Sequence, residues 1–138
     1  MKTTNRFFQT LLALLFVVSV SSCSKEEAVS PVLAARVEGT YTVNQINLGG
    51  KLYNVTADTK GQMTVTRITE TTVSLAINIS HPTQPIKGTI NDVTLTDVGS
   101  GEVNLTKPGS DLGRGGNNKL SVNFTDTDGT KFVFIGTK

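Results

Sequence analysis

Residues 72–79 read TVSLAINI, and an aliphatic side chain stands at every odd-numbered position. Such strict alternation is typical of a β-strand that buries one face and exposes the other. Residues 120–124, LSVNF, repeat the pattern. From Gly39 onward the chain is rich in Thr, Val, Ile and Asn, and turn signals recur about every eight to twelve residues. The sequence therefore predicts an all-β domain.

We expect nine strands, near residues 39–48, 51–57, 61–69, 72–80, 86–91, 93–98, 101–106, 118–125 and 130–136. Gly49-Gly50 fits a two-residue hairpin turn. Further reversals are expected at 58–61, 70–71, 91–92, 99–101 and 128–129. These connections leave no room for crossover helices, so neighbouring strands should pair antiparallel. A brief helical turn is expected around residues 32–37, and the glycine-rich residues 107–118 are expected to form a long mobile loop.

The alternation slips by one residue between Val43 and Ile46, and again between Val65 and Ile68. A slip of this kind indicates a β-bulge, and bulges help a sheet to curl. Closure of the sheet would also remove exposed strand edges. We therefore expect a small antiparallel up-and-down β-barrel of eight or nine strands. A β-sandwich is the alternative.

The N-terminal residues have the order of a secretory signal. Lys2 and Arg6 precede an apolar run over residues 7–20, and two serines follow. The strongly apolar part, residues 11–20, is shorter than the roughly 20 residues of a membrane-spanning helix. Residues 20–23, VSSC, resemble the lipobox of bacterial lipoproteins, which implies cleavage before Cys23 and attachment of a diacylglycerol and an acyl chain such as palmitate to it. A secreted protein with an unpaired Cys23 is the alternative.

Residues 24–27 follow the expected lipidation site. Ser24, Lys25, Glu26 and Glu27 resemble the short acidic export signal of surface lipoproteins of the Bacteroidota. The resemblance implies a lipid anchor in the outer membrane and exposure at the cell surface, whereas the same composition also suits a solvated tether. The expected organisation is a signal peptide (1–22), a lipidated cysteine with a flexible tether (23–36) and a barrel domain (37–138).

Removal of residues 1–22 also changes the charge. The chain has 13 Lys and Arg against 11 Asp and Glu, and loss of Lys2 and Arg6 leaves 11 of each sign. No run of like charge remains, and aromatic residues do not alternate with basic ones. We therefore expect no nucleic-acid partner.

Residues 37–43, VEGTYTV, look like the Gly-x-aromatic start of lipocalins and other calycins, in which a short helical turn leads into the first strand. Residues 132–138, FVFIGTK, are similar to the last strand of calycin-like lipoproteins of Bacteroidota. Tyr41 stands where tryptophan is usual, and no basic residue can be assigned from the sequence to pack on its ring. The resemblance implies a barrel that binds a small apolar ligand or a surface partner.

The sequence offers little for catalysis or metal binding. His81 is the sole histidine and lies in HPTQP, which favours a loop. One histidine without cysteine partners cannot supply the usual four ligands of a zinc site. A serine nucleophile would need this same histidine as its base, and the sequence has no Gly-x-Ser-x-Gly motif. Residues 126–129, DTDG, resemble part of a calcium loop but suit a hairpin turn better. We expect no catalytic residue, no metal, no cofactor and no enzymatic activity.

Two functional readings remain. In the first, the barrel binds a ligand at its mouth, beside the 107–118 loop, with Asp111, Arg114, Tyr41 and Phe124 as candidate residues. In the second, the protein is a structural or protein-interaction lipoprotein, of inhibitor or adhesion type, with a filled, ligand-free barrel. With 6% aromatic residues and no tryptophan, a large aromatic pocket is not expected.

Overall fold

The computed structural model describes residues 32–56, 59–80, 85–125 and 128–138. One short helix precedes nine strands. The elements are α1 (Leu33–Val37), β1 (Gly39–Leu48), β2 (Lys51–Asn54), β3 (Lys60–Arg67), β4 (Thr72–Ser80), β5 (Ile86–Gly99), β6 (Glu102–Lys107), β7 (Ser110–Gly116), β8 (Lys119–Thr125) and β9 (Lys131–Thr137). In the described part of the chain, no helix is long and apolar enough to cross a membrane.

The sheet closes on itself. Every strand pairing is antiparallel, consecutive strands from β3 to β9 are neighbours, and β9 returns to pair with β1. The eight strands β1 and β3 to β9 thus form a closed barrel, and β2 is an additional hairpin strand on β1. The prediction of an up-and-down barrel is confirmed, and the sandwich alternative is excluded.

The β1–β2 turn follows from its two glycines. Gly49 and Gly50 have φ values of 57° and 87°, a region that residues with a Cβ rarely adopt and that both central residues of the favoured two-residue hairpin require. Asn47 accepts a hydrogen bond from the Gly50 N–H at 3.0 Å and secures the turn. The prediction of a hairpin at this dipeptide is confirmed.

The expected reversal at residues 91–92 is wrong. Residues 86–99 form one long strand, β5, which carries an irregularity where it passes Ser74 on β4. Asp92 has a φ of 59°, and its register partner shifts between Val73 and Leu75. Asp92 thus marks a bulge, at which the strand bends without reversing.

The expected loop at residues 107–118 is also wrong, because Ser110–Gly116 form β7. Two glycines allow these residues to form a strand. Gly113 and Gly116 have φ values of 118° and 133°, and a Cβ at either position would lie against a neighbouring carbonyl oxygen, that of Ser121 or Gly101. The glycines that suggested mobility are instead the residues that let β7 pack between β6 and β8.

The two slips in alternation have different causes. The register of β1 against β9 shifts between Val43 and Gln45, so the bulge expected there is confirmed. The second expected bulge is wrong, because β3 ends at Arg67 and Ile68 lies in the following turn, 51% exposed.

Inward-facing side chains fill most of the barrel. Tyr41, Met63, Leu75 and Phe134 are among the largest that are fully buried, and burial of each such side chain stabilises the fold by roughly 1.5–3 kcal/mol. We call the end of the barrel beside α1 and the start of β1 the closed end. The opposite end, with the β1–β2 turn and the starts of β5 and β9, is the mouth.

Helix α1 covers the closed end. Ala34 and Val37 are fully buried, and the Ala34 N–H donates a 3.0 Å hydrogen bond to the Glu70 carbonyl in the β3–β4 turn. The helical turn predicted around residues 32–37 is confirmed. Residues 33–36, which the sequence suggested for the tether, therefore pack as part of the barrel domain.

Candidate functional site: the barrel mouth and an adjoining groove

The mouth contains an open cavity of about 360 Å³. Six aliphatic or aromatic side chains form its apolar wall, namely Ile46, Leu48, Val55, Ile79, Ile86 and Phe132. Four polar side chains, Tyr53, Asn54, Thr56 and Thr59, lie along one border. Among the described residues that line it, none carries a charge at neutral pH. Its volume falls in the range of small-molecule sites, roughly 300–1,000 Å³.

The bulge in β1 creates this apolar wall. Tyr41 and Val43 face the interior before the bulge, and Ile46 and Leu48 face it afterwards, opposite Phe134 and Phe132 of β9. Without the extra residue, Ile46 and Leu48 would point to the outer face of the barrel. The wall also remains partly open, since Leu48 is 37% and Tyr53 50% exposed.

Three phenylalanines connect the mouth to the core. Phe124 lies 6.3 Å from Phe132, and Phe132 lies 6.2 Å from Phe134 in a stacked arrangement, measured between ring centroids. Phe134 is fully buried, whereas Phe124 is 36% exposed at the end of β8. The cavity therefore ends on a packed layer that includes Phe134 and is shallow.

A second cavity, of about 790 Å³, adjoins the first through Val55, Thr56 and Thr59, which line both. We call it the outer groove. Its lining combines the buried Val43 and Gly61 with exposed side chains of the outer barrel face. Those side chains are Thr42, Asn44, Lys60, Gln62, Asn78 and Ser80.

The strand pairing explains why the two cavities meet. On one edge, β1 pairs with β3 from Gly39 to Thr42 and with β2 from Gln45 to Leu48. The first residues of β3, Lys60 and Gly61, pair with β4, and the described pairings give them no partner in β1. Among the described residues, the barrel wall is thus interrupted between β2 and β3, and we call this interruption the lateral opening.

The closed end is held by polar contacts to Tyr41. The Tyr41 hydroxyl donates a 2.7 Å hydrogen bond to the Val37 carbonyl at the end of α1. Burial raises the pKa of Tyr41 from 10.0 to about 12. The side chain has no exposed surface, so Tyr41 is part of the packed floor and does not reach the mouth.

Lys138 supplies the basic partner that the sequence did not reveal. Its ammonium lies 5.0 Å from the centroid of the Tyr41 ring and donates a 2.5 Å hydrogen bond to the Glu38 carbonyl. Its backbone N–H donates to the Asn118 carbonyl at 3.0 Å. Sequence position hid this residue, because the contact joins the start of the first strand to the last residue of the chain.

A second contact fixes α1 to the barrel. Arg36 donates a 3.0 Å hydrogen bond to Asp97 near the end of β5, and the Gly99 N–H donates to the same oxygen at 2.8 Å. The hydrogen bond from Arg36 contributes most, and that from Gly99 next, to holding the pKa of Asp97 below its ordinary value of 3.8. The helix is therefore tied to the sheet by charge as well as by packing.

The structure does not bring the four candidate binding residues together. Asp111 lies near the start of β7 and accepts a 2.9 Å hydrogen bond from the Gly113 N–H. Arg114 lies on the outer face, donates to Asn104 at 3.1 Å and approaches Glu102 at 3.7 Å. Tyr41 is in the floor. Phe124 lies at the mouth, with its ring centroid 6.3 Å from that of Phe132, and the start of β7 with Asp111 lies toward the same end of the barrel.

Several sequence-based expectations concern residues outside the described ranges. They are the signal segment 1–22, Cys23, Ser24, Lys25, Glu26, Glu27, His81 and the Asp126-Thr127 part of the DTDG segment. Within the described ranges, no group of three or more His, Cys, Asp or Glu side chains converges to hold a metal ion.

Sequence reasoning missed the residues that line the mouth. In the sequence, Ile46 and Leu48 stand out only because the alternation slips by one residue before them. Such a slip near the end of the first strand indicates that the later side chains face the interior again. Tyr53, Val55 and Ile86 belong to short or interrupted apolar segments without clear alternation, so no local pattern singles them out.

Comparisons with known proteins give one structural likeness. No family model matches this chain, and no curated protein matches it. A solved structure of a redesigned β-barrel, mFAP1, bound to DFHBI, is similar at 20% sequence identity with a TM-score of 0.48, covering 78% of this chain and 99% of that chain.

Proposed function

We propose that this protein binds a small apolar molecule at the mouth of its barrel and does not catalyse a reaction. The observation that carries the proposal is the open, shallow cavity of about 360 Å³ with an apolar wall and a polar border. Apolar surface that the described residues leave open to water at the end of an otherwise filled barrel is costly, and a ligand that covers it gains the corresponding free energy.

A fluorescence titration tests this proposal. The neutral dye N-phenyl-1-naphthylamine is titrated into the mature chain, residues 23–138, with Cys23→Ser to keep it free of lipid. We expect saturable enhancement with one site per chain. Tyr53→Ala and Leu48→Ala should each weaken binding about three- to tenfold, since each removes part of a buried apolar contact.

Ile68→Ala is the matched control. Ile68 is as exposed as Tyr53 but lies at the closed end, so its removal should leave the titration unchanged. Absence of saturable binding in the unsubstituted protein would favour the alternative, a protein-interaction lipoprotein with a ligand-free barrel. Efficient hydrolytic turnover by the purified protein would contradict a pure binding role.

We further propose that the barrel is carried by an outer-membrane lipoprotein of the calycin-like type, anchored through Cys23. The support is the signal-like segment and the VSSC motif, residues 20–23, which ends on this cysteine. A lipid at Cys23 would attach the protein on the side of α1, since only nine residues, spanning at most about 30 Å, separate Cys23 from Leu33.

Metabolic labelling tests the anchor. Cells that express the full chain should incorporate a palmitate analogue into it, and Cys23→Ala should abolish both the label and release of the mature form. Labelling that persists in Cys23→Ala would contradict the anchor.

Surface exposure rests on Lys25, Glu26 and Glu27. Replacing all three by alanine should leave labelling intact but reduce digestion by protease added to whole cells. Unchanged digestion would mean that these residues serve only as a tether.

A further inference from the structure

We infer that the ligand is an amphiphile with a compact apolar body in the mouth cavity and a neutral, hydroxyl-rich head in the outer groove. This inference rests on the proposed function and specifies the class of ligand for the same site. The head would leave the barrel sideways, through the lateral opening between β2 and β3.

The two cavities adjoin each other along one segment of the chain. Val55, Thr56 and Thr59 line both of them, and β1 changes its partner from β3 to β2 at this height of the barrel. Among the described residues, no paired strand separates a molecule seated against Ile46 and Ile79 from the outer groove.

The apolar compartment at the mouth is small. The cavity ends on a packed layer in which Val43, Ile79 and Phe134 are at most 1% exposed. Gly61 contributes to this closure, because a Cβ there would lie 2.8 Å from the Val43 Cβ. An apolar body that enters the mouth thus has little depth, and any larger part of the ligand must lie outside.

The outer groove is lined by amide and hydroxyl side chains. Gln62 on β3 and Asn78 on β4 are register partners, and both side chains are exposed on the groove. Thr42 and Ser80 add hydroxyl groups beside them. Amide and hydroxyl side chains both donate and accept hydrogen bonds, which suits a head with several hydroxyl groups.

Lys60 is the only ionisable side chain among the described residues of the groove. It is exposed, and a single exposed charge contributes little to binding because water screens it. The described lining contains no arginine to hold a carboxylate or phosphate by two parallel hydrogen bonds. The groove therefore favours a neutral head over an anionic one.

Three ligands that share the same alkyl chain but differ in the head group distinguish binding of the apolar body from binding of the head. 1-Octanol, octyl β-D-glucoside and octyl sulfate are used below their micelle-forming concentrations to displace N-phenyl-1-naphthylamine from the mature Cys23→Ser chain. We expect octyl glucoside to bind about tenfold more tightly than octyl sulfate, as two additional hydrogen bonds allow.

Two sets of variants then test which cavity binds the head of the ligand and which binds its apolar body. The double variant Gln62→Ala with Asn78→Ala should weaken octyl glucoside about tenfold and change 1-octanol less than about twofold. Tyr53→Ala should weaken all three ligands. Thr66→Ala, on the outer face of β3 away from the groove, is the control and should change none of them.

The outcomes separate the two claims. The preference for a neutral head is contradicted if octyl sulfate binds as tightly as octyl glucoside. It is also contradicted if octyl sulfate binds more tightly and loses affinity in Lys60→Ala. Binding at the mouth is not contradicted by either result. If the double variant binds octyl glucoside with unchanged affinity, the claim that the head lies in the outer groove is contradicted. If neither the dye nor any of the three ligands binds, the proposed function itself fails.

Discussion

The ammonium of Lys138, the last residue of the chain, lies 5.0 Å from the centroid of the Tyr41 ring in the first strand. The same ammonium donates a hydrogen bond to the Glu38 carbonyl, directly after α1. One side chain thus joins the helix, the first strand and the end of the last strand. The contact closes the floor of the barrel at the end opposite the mouth.

Removal of the Lys138 charge should loosen this floor. Lys138→Met loses a cation–π contact and a hydrogen bond, so we expect a loss of about 1 kcal/mol in the free energy of unfolding. The melting temperature, followed by circular dichroism, should fall by about 4–8 °C. Lys138→Arg should retain most of the stability, and Lys119→Met, near the same end, is the control. Equal melting temperatures for Lys138→Met and the unsubstituted protein would show that the contact contributes nothing.

Tyr41 should ionise only near pH 12 while the barrel is folded, since burial raises its pKa to about 12. In the unfolded chain tyrosine ionises near pH 10. The stability due to neutral Tyr41 is therefore fully present below about pH 10 and is lost as the pH rises through the folded pKa of about 12. Tyr53→Phe leaves Tyr41 as the only tyrosine, and its absorbance can be titrated alone. Ionisation near pH 10 with the fold intact would contradict the buried floor.

Asp97 should make the closed end sensitive to acid. Its pKa is lowered mainly by the hydrogen bond from Arg36 and next by that from Gly99. A carboxyl with a lowered pKa stabilises the fold above its ordinary, unfolded pKa of 3.8, and this contribution is lost as the pH falls through the folded pKa. Asp97→Asn should thus lower the melting temperature at pH 7, and the difference should shrink toward pH 2. A difference that is constant over this range would exclude the ion pair as its cause.

Gly113→Ala should destabilise the barrel by about 2–4 kcal/mol, because the new Cβ would collide with the Ser121 carbonyl at a φ of 118°. Gly88→Ala is the matched control on β5, since a Cβ there meets nothing within 4 Å. That change should alter stability by less than about 1 kcal/mol. Urea unfolding of the two variants gives the comparison. Equal stability would indicate that residues 110–116 do not pack as a strand.

The fold was predictable where side chains alternate or turns need glycine. The 72–80 strand and the Gly49-Gly50 hairpin are determined by neighbouring residues, so both can be predicted from the local sequence. β7 was missed because glycines that allow close strand packing look the same in sequence as glycines of a loop. β5 was divided in two because Asp92 bends the strand without ending it. The number of strands was nevertheless right, since one error removed a strand and the other added one.

The site was less predictable than the fold. Charged residues in an expected loop, Asp111 and Arg114, attracted attention, but both make hydrogen bonds along the strands of the barrel wall. The mouth depends on a change of partner by β1 and on the bulge after Val43. These are long-range features, and the apolar residues they gather carry no motif.

The most direct test of the mouth as a binding site is an NMR titration of isoleucine methyl groups with N-phenyl-1-naphthylamine. Ile46, Ile79 and Ile86 line the cavity, whereas Ile68 is exposed at the closed end. Ligand in the mouth should shift the methyl signals of the first three residues in a saturable manner and leave Ile68 unchanged. Saturable shifts at Ile68 without shifts at Ile46, Ile79 and Ile86, or no saturable shifts at all, would contradict binding at the mouth.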